Sequence, residues 1–96
     1  MSLFGMGKGI SVIERTDATT ILMLLFERGP LTVTSIMEEG GINRTTFYAT
    51  LSVLLKAGLV VEDREEVFPR RRIIRLTERG RKVAELLIKV RDILDV

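Results

Sequence analysis

An α+β fold is what this 96-residue chain predicts: a three-helix core, a two-stranded β-hairpin and a C-terminal helix, all in one small domain. Three observations carry that expectation. Apolar residues recur at helical spacing in segments punctuated by Gly29-Pro30 and Gly40-Gly41. Two short β-branched runs flank a charged stretch containing Pro69. A hydrophobic content of 46% beside 29% charged residues is the balance of a folded chain rather than a disordered tail. The expected divisions are a flexible lead-in over 1–15, a helical core with its hairpin over 16–77, and a last helix over 78–96.

Asp17 to Arg28 reads as the first helix, with Thr16 or Asp17 as its N-cap and Gly29-Pro30 as its stop. Ile21, Leu22, Met23, Leu24, Leu25 and Phe26 go most of the way round it, so the helix needs cover on more than one side. That need is a first indication of a dimer. Leu31 adds a residue or two of strand. Thr32 then caps a short helix to about Glu39, ended by Gly40-Gly41, and Asn43 caps a longer one to about Ala57, with Gly58 as its left-handed terminus. Two helices joined by a tight glycine turn make a helix-turn-helix.

The second of these helices contains NRTTFYATL, Asn43 to Leu51, an odd choice for a helix because β-branched Thr lowers helix propensity. On a helical wheel Phe47, Leu51, Leu54 and Leu55 share one face, with Thr50 at its margin. The opposite face holds Thr45, Ala49, Ser52 and Lys56, flanked by Thr46 and Tyr48, and Arg44 projects from the first turn. An ordinary solvated face would carry Glu and Lys in i,i+4 pairs. This one is small, hydroxyl-bearing and free of acids, as a helix entering the DNA major groove needs to be. No carboxylate occurs from Ile42 to Val61. The plainer alternative is that Asn, Thr and Ser merely decorate the helix start.

Leu59-Val60-Val61 begins one strand and Ile73 to Leu76 forms another, making a wing directly after the helix-turn-helix. Its charges are sorted, with Glu62, Asp63, Glu65 and Glu66 on the outgoing arm and Arg70, Arg71 and Arg72 on the return. Cross-strand ion pairing and contact with the phosphate backbone or minor groove both suit that arrangement. Charge along the chain agrees with a nucleic-acid face. An acidic excess of two over residues 1–40 gives way to a basic excess of two in 41–58 and again in 59–96.

Thr77 caps the last helix, Glu78 to about Leu94. Val83, Leu86, Val90 and Ile93, widened by Leu87 and Leu94, form a heptad-like stripe longer than its own domain can cover. The expected dimer interface is therefore Ile21, Leu25, Leu87, Val90, Ile93 and Leu94.

Composition excludes other classes. With no Cys and no His, disulfides, thiolate metal sites and the commonest general base are all missing. The pairs Glu38-Glu39 and Glu65-Glu66 have no nucleophile beside them, so neither an enzyme nor any cofactor or metal is expected. Gly7-Lys8-Gly9 lacks the Ser or Thr and the upstream Gly of a phosphate loop. No apolar run approaches the ~20 residues of a membrane span, and the start of the chain does not read as a signal peptide. A cytoplasmic, nucleoid-associated location follows as the expectation.

The order helix, short helix, GINRTTFYATLSVLLKAGLV, hairpin, RLTERGRKVAELL resembles the winged-helix transcriptional regulators of the MarR and PadR type. Thr46, Phe47, Tyr48 and Leu51 are similar to the PadR recognition-helix pattern. Leu54 to Val60 is similar to the helix-to-wing junction of both groups, and Leu76-Thr77-Glu78-Arg79-Gly80 to the segment that follows their wings. The match covers about Asp17 to Leu87. It implies a winged helix-turn-helix over 16–77 and a homodimer that places recognition helices in successive major grooves of double-stranded DNA. The long N-terminal helix of MarR proteins and the C-terminal arm of many PadR proteins have no counterpart here, so no small-molecule effector is expected.

Two functions stand against each other. One is a sequence-specific DNA-binding regulator using Arg44, Thr45, Thr46, Tyr48, Ala49, Ser52 and Lys56 on the helix, and Arg70, Arg71 and Arg72 on the wing. The other is a winged-helix protein-interaction module without direct DNA readout, favoured by the near-neutral overall charge.

Overall fold

A computed structural model describes residues 10–95. In chain order it contains α1 (Ile10–Ile13), α2 (Thr16–Arg28), β1 (Leu31–Thr32), α3 (Val33–Gly40), α4 (Arg44–Lys56), β2 (Val60–Arg64), β3 (Arg72–Leu76) and α5 (Glu78–Leu94). The glycine-rich start, with its Gly7-Lys8-Gly9, lies outside the described residues. Of the lead-in that is described, Ile10 to Ile13 is a short helix rather than a loose segment, and Val12 and Ile13 pack against the core.

α2 is the central helix. Ala18, Ile21, Leu22 and Leu25 are buried along it, while Leu24 and Phe26 are partly so. Cover comes from α5, α3, α4, β3 and α1 of the same chain. This corrects two expectations. Ile21 and Leu25, at 0% and 2% exposure, are spent on their own core and are not dimer-interface residues. The apolar girth of α2 is a measure of its centrality, not a sign of a second subunit. The helix also starts one residue early. Thr16 lies in its first turn, and Arg15 at the cap position makes no side-chain cap bond.

The next two helices start as expected. Thr32 Oγ1 accepts the Ser35 N–H at 3.2 Å, and Asn43 Oδ1 accepts the Thr46 N–H at 2.8 Å. At the end of α4, Gly58 turns left-handed (φ 73°), which lets the Leu59 N–H reach back to the Leu54 carbonyl at 3.1 Å. Phe47, Thr50, Leu51 and Leu54 are the buried face of α4. Leu55, expected to join them, is 38% exposed at the edge of the face. Thr50 is fully buried, and its Oγ1 has no hydrogen-bond partner among the described residues.

The sheet has three strands in the order β1-β3-β2, all antiparallel. The short β1 thus joins the wing to the turn before α3, pairing Leu31 with Ile74 and Thr32 with Ile73. One sheet face carries Val60 and Ile74 into the core, then Glu62 and Arg72 further out; the other carries Val61, Asp63 and Arg75.

α5 is seated by a crossing of two backbones. The Thr77 N–H donates to the Leu59 carbonyl at 3.0 Å and its hydroxyl to the Gly58 carbonyl at 2.6 Å. The same hydroxyl accepts the Gly80 N–H at 3.0 Å, capping the helix. A Cβ on Gly80 would stand 1.9 Å from the Leu59 carbonyl oxygen, so only glycine fits there.

Candidate nucleic-acid interface

The outer side of α4 is set by its inner side. Once Phe47, Leu51 and Leu54 face the core, the 100° step turns Arg44, Thr45, Ala49, Ser52 and Lys56 to solvent, and all five are exposed. Thr46 and Tyr48 lie half-buried on the flanks. Apart from the end charges Arg44 and Lys56, this surface is short and uncharged.

Beside it stands the wing. Arg72 donates from Nε and Nη2 to the two carboxylate oxygens of Glu62, both at 2.7 Å, and from Nη1 to the Tyr48 hydroxyl at 3.2 Å. Its guanidinium also lies 5.2 Å from the centre of the Tyr48 ring. These bonds hold the Glu62 carboxyl below its ordinary pKa, chiefly through the hydrogen bonds from Arg72, and raise that of Arg72. Arg71 grips Glu65 in the same bidentate way, at 2.9 and 3.0 Å, and lowers its pKa. On the opposite face Arg75 pairs with Asp63 at 2.6 Å. Cross-strand pairing is therefore present for two of the three expected wing arginines. Arg70, at the turn, is exposed and has no ion pair among the described residues.

Arg72 and Tyr48, both expected among the DNA contacts, with packing against the wing as the alternative for Tyr48, are bonded to one another between helix and wing, and the guanidinium fork of Arg72 is occupied by Glu62. Tyr48 in turn meets the fully buried Phe47 edge to face, with ring centres 5.2 Å apart.

Two residues absent from the sequence-derived set belong to this surface. Thr34, exposed on α3, lines a depression with Thr32, Met37, Arg44, Tyr48 and Arg71. Its position two residues beyond the Thr32 cap was the available signal. Arg64, at the end of β2, donates to the Arg70 carbonyl at 3.2 Å and so braces the wing tip. At that tip Val67 and Phe68 are 73% and 93% exposed.

Of the remaining expected interface positions, Leu87 packs partly against its own core. Val90, Ile93 and Leu94 are exposed, as is Leu86. No group of three or more Asp or Glu among the described residues is placed to hold a metal ion, and no helix among them is long and apolar enough to cross a membrane.

A helix-turn-helix whose second helix presents an acid-free face beside a three-stranded wing is the fold of a winged-helix transcription regulator. The chain belongs to the ArnR1-like winged-helix domain family, whose model matches residues 12–94. A comparison with curated protein sequences returns no match. Among solved structures, NadR in complex with 4-hydroxyphenylacetate is 27% identical, with a TM-score of 0.73 over 85% of this chain and 61% of that one. Reduced AbfR bound to DNA is 25% identical, with a TM-score of 0.69 over 85% and 60%. NMB1585, a MarR family regulator from Neisseria meningitidis, is 24% identical, with a TM-score of 0.71 over 82% and 56%, a likeness of fold. This chain thus spans less than two thirds of each of the three. The PcaV transcriptional regulator from Streptomyces coelicolor is 28% identical, with a TM-score of 0.70 over 75% of this chain and 53% of that one. The NadR complex holds a small molecule, so the expectation that this chain has no effector gains no support from it.

Proposed function

We propose that this chain is a sequence-specific, double-stranded DNA-binding transcriptional regulator that acts as a homodimer. α4 enters the major groove and the wing lies along the phosphate backbone or in the minor groove. One observation carries the reading: apart from Leu55 at its edge, the exposed side of α4 keeps small or hydroxyl-bearing side chains between Arg44 and Lys56, with no acid from Ile42 to Val61. A carboxylate there would face phosphates, and bulkier side chains would hold the helix away from base edges. The DNA-bound AbfR structure, on the same fold, supports it. Arg44, Lys56 and Arg70 neutralise phosphates; Thr45, Ala49 and Ser52 meet bases. Val90, Ile93 and Leu94, joined by Leu86, pair the subunits.

Duplexes selected from a random pool, titrated against random DNA by fluorescence anisotropy at several salt concentrations, test this. Thr45→Ala is expected to lower discrimination by about 1 kcal/mol, and Arg70→Ala to weaken every duplex alike and reduce the salt slope by about 1. Absence of salt-sensitive duplex binding even at ~50 mM salt overturns the reading. In that event the exposed Val67 and Phe68 at the wing tip favour the protein-interaction module.

A further inference from the structure

Glu62 is the odd member of the proposed DNA-facing surface. It is a carboxylate on the sheet face that leads from the core to α4, where it adds repulsion toward phosphates. Its surroundings offer an account of why an acid stands there.

In the wing register Glu62 lies opposite Ile74, and Arg64 opposite Arg72, so Glu62 and Arg72 are diagonal neighbours on one face. That face also carries the buried Val60 and Ile74, and it directs both side chains toward α4. Glu62 takes the Nε and Nη2 edge of Arg72, which fixes the plane of the guanidinium. The planar group then offers Nη1 to the Tyr48 hydroxyl and its carbon to the Tyr48 ring. Tyr48 rests on Phe47, which is fully buried. A continuous chain of contacts thus runs from β2 through β3 to α4 and into the core.

The rest of the wing makes a useful contrast. The side chains of Arg72 and Glu62 are 33% and 26% exposed, whereas those of Arg75 and Asp63, a pair with the same diagonal spacing on the opposite face, are 52% and 51% exposed. Among the described residues the outer pair bonds only to itself, whereas the inner one ends on α4.

We infer that Glu62 is a positioning residue for DNA recognition: acting through Arg72 and Tyr48, it fixes the wing against the recognition helix and so sets sequence discrimination. Arg72 serves here as a strut, not as a phosphate contact. This inference rests on the DNA-binding reading above.

The experiment turns on a sign. Glu62→Gln removes a negative charge from the DNA side, and charge alone makes every duplex bind more tightly. Positioning instead makes the selected duplex bind more weakly while random DNA binds as tightly or more so, a loss of discrimination of about tenfold. Asp63→Asn removes the matching carboxylate from the outer face and is expected to leave discrimination unchanged. Tyr48→Phe keeps the ring and loses the hydroxyl; it is expected to lower discrimination about threefold alone and to add nothing in the Glu62→Gln background, because both act through one chain of contacts. It also keeps the inference testable if Glu62→Gln fails to fold, which a thermal melt reveals. Equal tightening of selected and random duplexes by Glu62→Gln and Asp63→Asn overturns the inference, as does additivity of Glu62→Gln with Tyr48→Phe. Either result leaves DNA binding by the unaltered chain intact, whereas loss of that binding overturns both readings together.

Discussion

The two halves of α5 carry the same apolar periodicity and meet opposite surroundings. In the first half, Thr77 caps the helix and ties it to Gly58 and Leu59, Gly80 lies against the Leu59 carbonyl, and Ala84 is fully buried beneath α2. In the second, Leu86, Val90, Ile93 and Leu94 stand 60%, 52%, 73% and 75% exposed. Arg91 reaching Glu27 at 3.4 Å is the far end of the attachment to α2. An apolar stripe therefore states that a helix face wants cover, and the fold decides where its own cover runs out. Beyond that point the stripe is uncovered among the described residues.

Breaking the seated half has the largest expected effect. Gly80→Ala forces a methyl against the Leu59 carbonyl, which is itself held by the Thr77 N–H, so relief requires α5 to lift from the wing. A destabilisation of about 3 kcal/mol or more is expected, lowering the melting temperature by roughly 15 °C. A wild-type melting curve would mean that the crossing is looser than its geometry implies.

The free half responds in a different measurement. Replacing Val90 and Ile93 together by Glu is expected to raise the dimer dissociation constant about a hundredfold, read by sedimentation, with the far-UV spectrum of the diluted protein unchanged. If self-association is the same before and after, the outer stripe pairs with something other than a second copy. The smallest effect belongs to the solvated back of the helix. Glu85 and Lys89 form an i,i+4 pair at 3.9 Å with side chains 57% and 66% exposed, and Glu85→Gln is expected to cost no more than about 0.5 kcal/mol by chemical denaturation. A larger loss would show that this pair is covered in an assembly and would redraw the boundary between the two halves.

Local signals made most of the fold readable. Asn43, Gly58 and Thr77 each announce a helix boundary by a side chain or backbone conformation that acts within a few residues, and all three act as their types predict. The four-residue α1 offers no such signal, since so short a helix barely completes one turn and cannot show a repeating period. The start of α2 was misplaced for a related reason, as it lacks a side-chain cap altogether. The acid-free side of α4 was also readable, because the residues that face inward dictate those that face out. What the sequence does not reveal is pairing across distance. Tyr48 and Arg72 are separated by a turn, a strand and the wing tip, and neither residue's neighbours hint at the other. The assignment of Ile21 and Leu25 to a second subunit failed likewise, for want of knowing that five elements of the same chain converge on α2.

The short pairing of β1 with β3 bears on cooperativity. Because Leu31 meets Ile74, the loop closed by that contact encloses α3, α4 and the outgoing arm of the wing. Closing so large a loop costs entropy that is recovered only when all its contents are in place. The pairing therefore ties α4 and the wing into one closed loop, and its loss is expected to loosen both. Two residues of strand thus hold the outer helix and the wing in one frame.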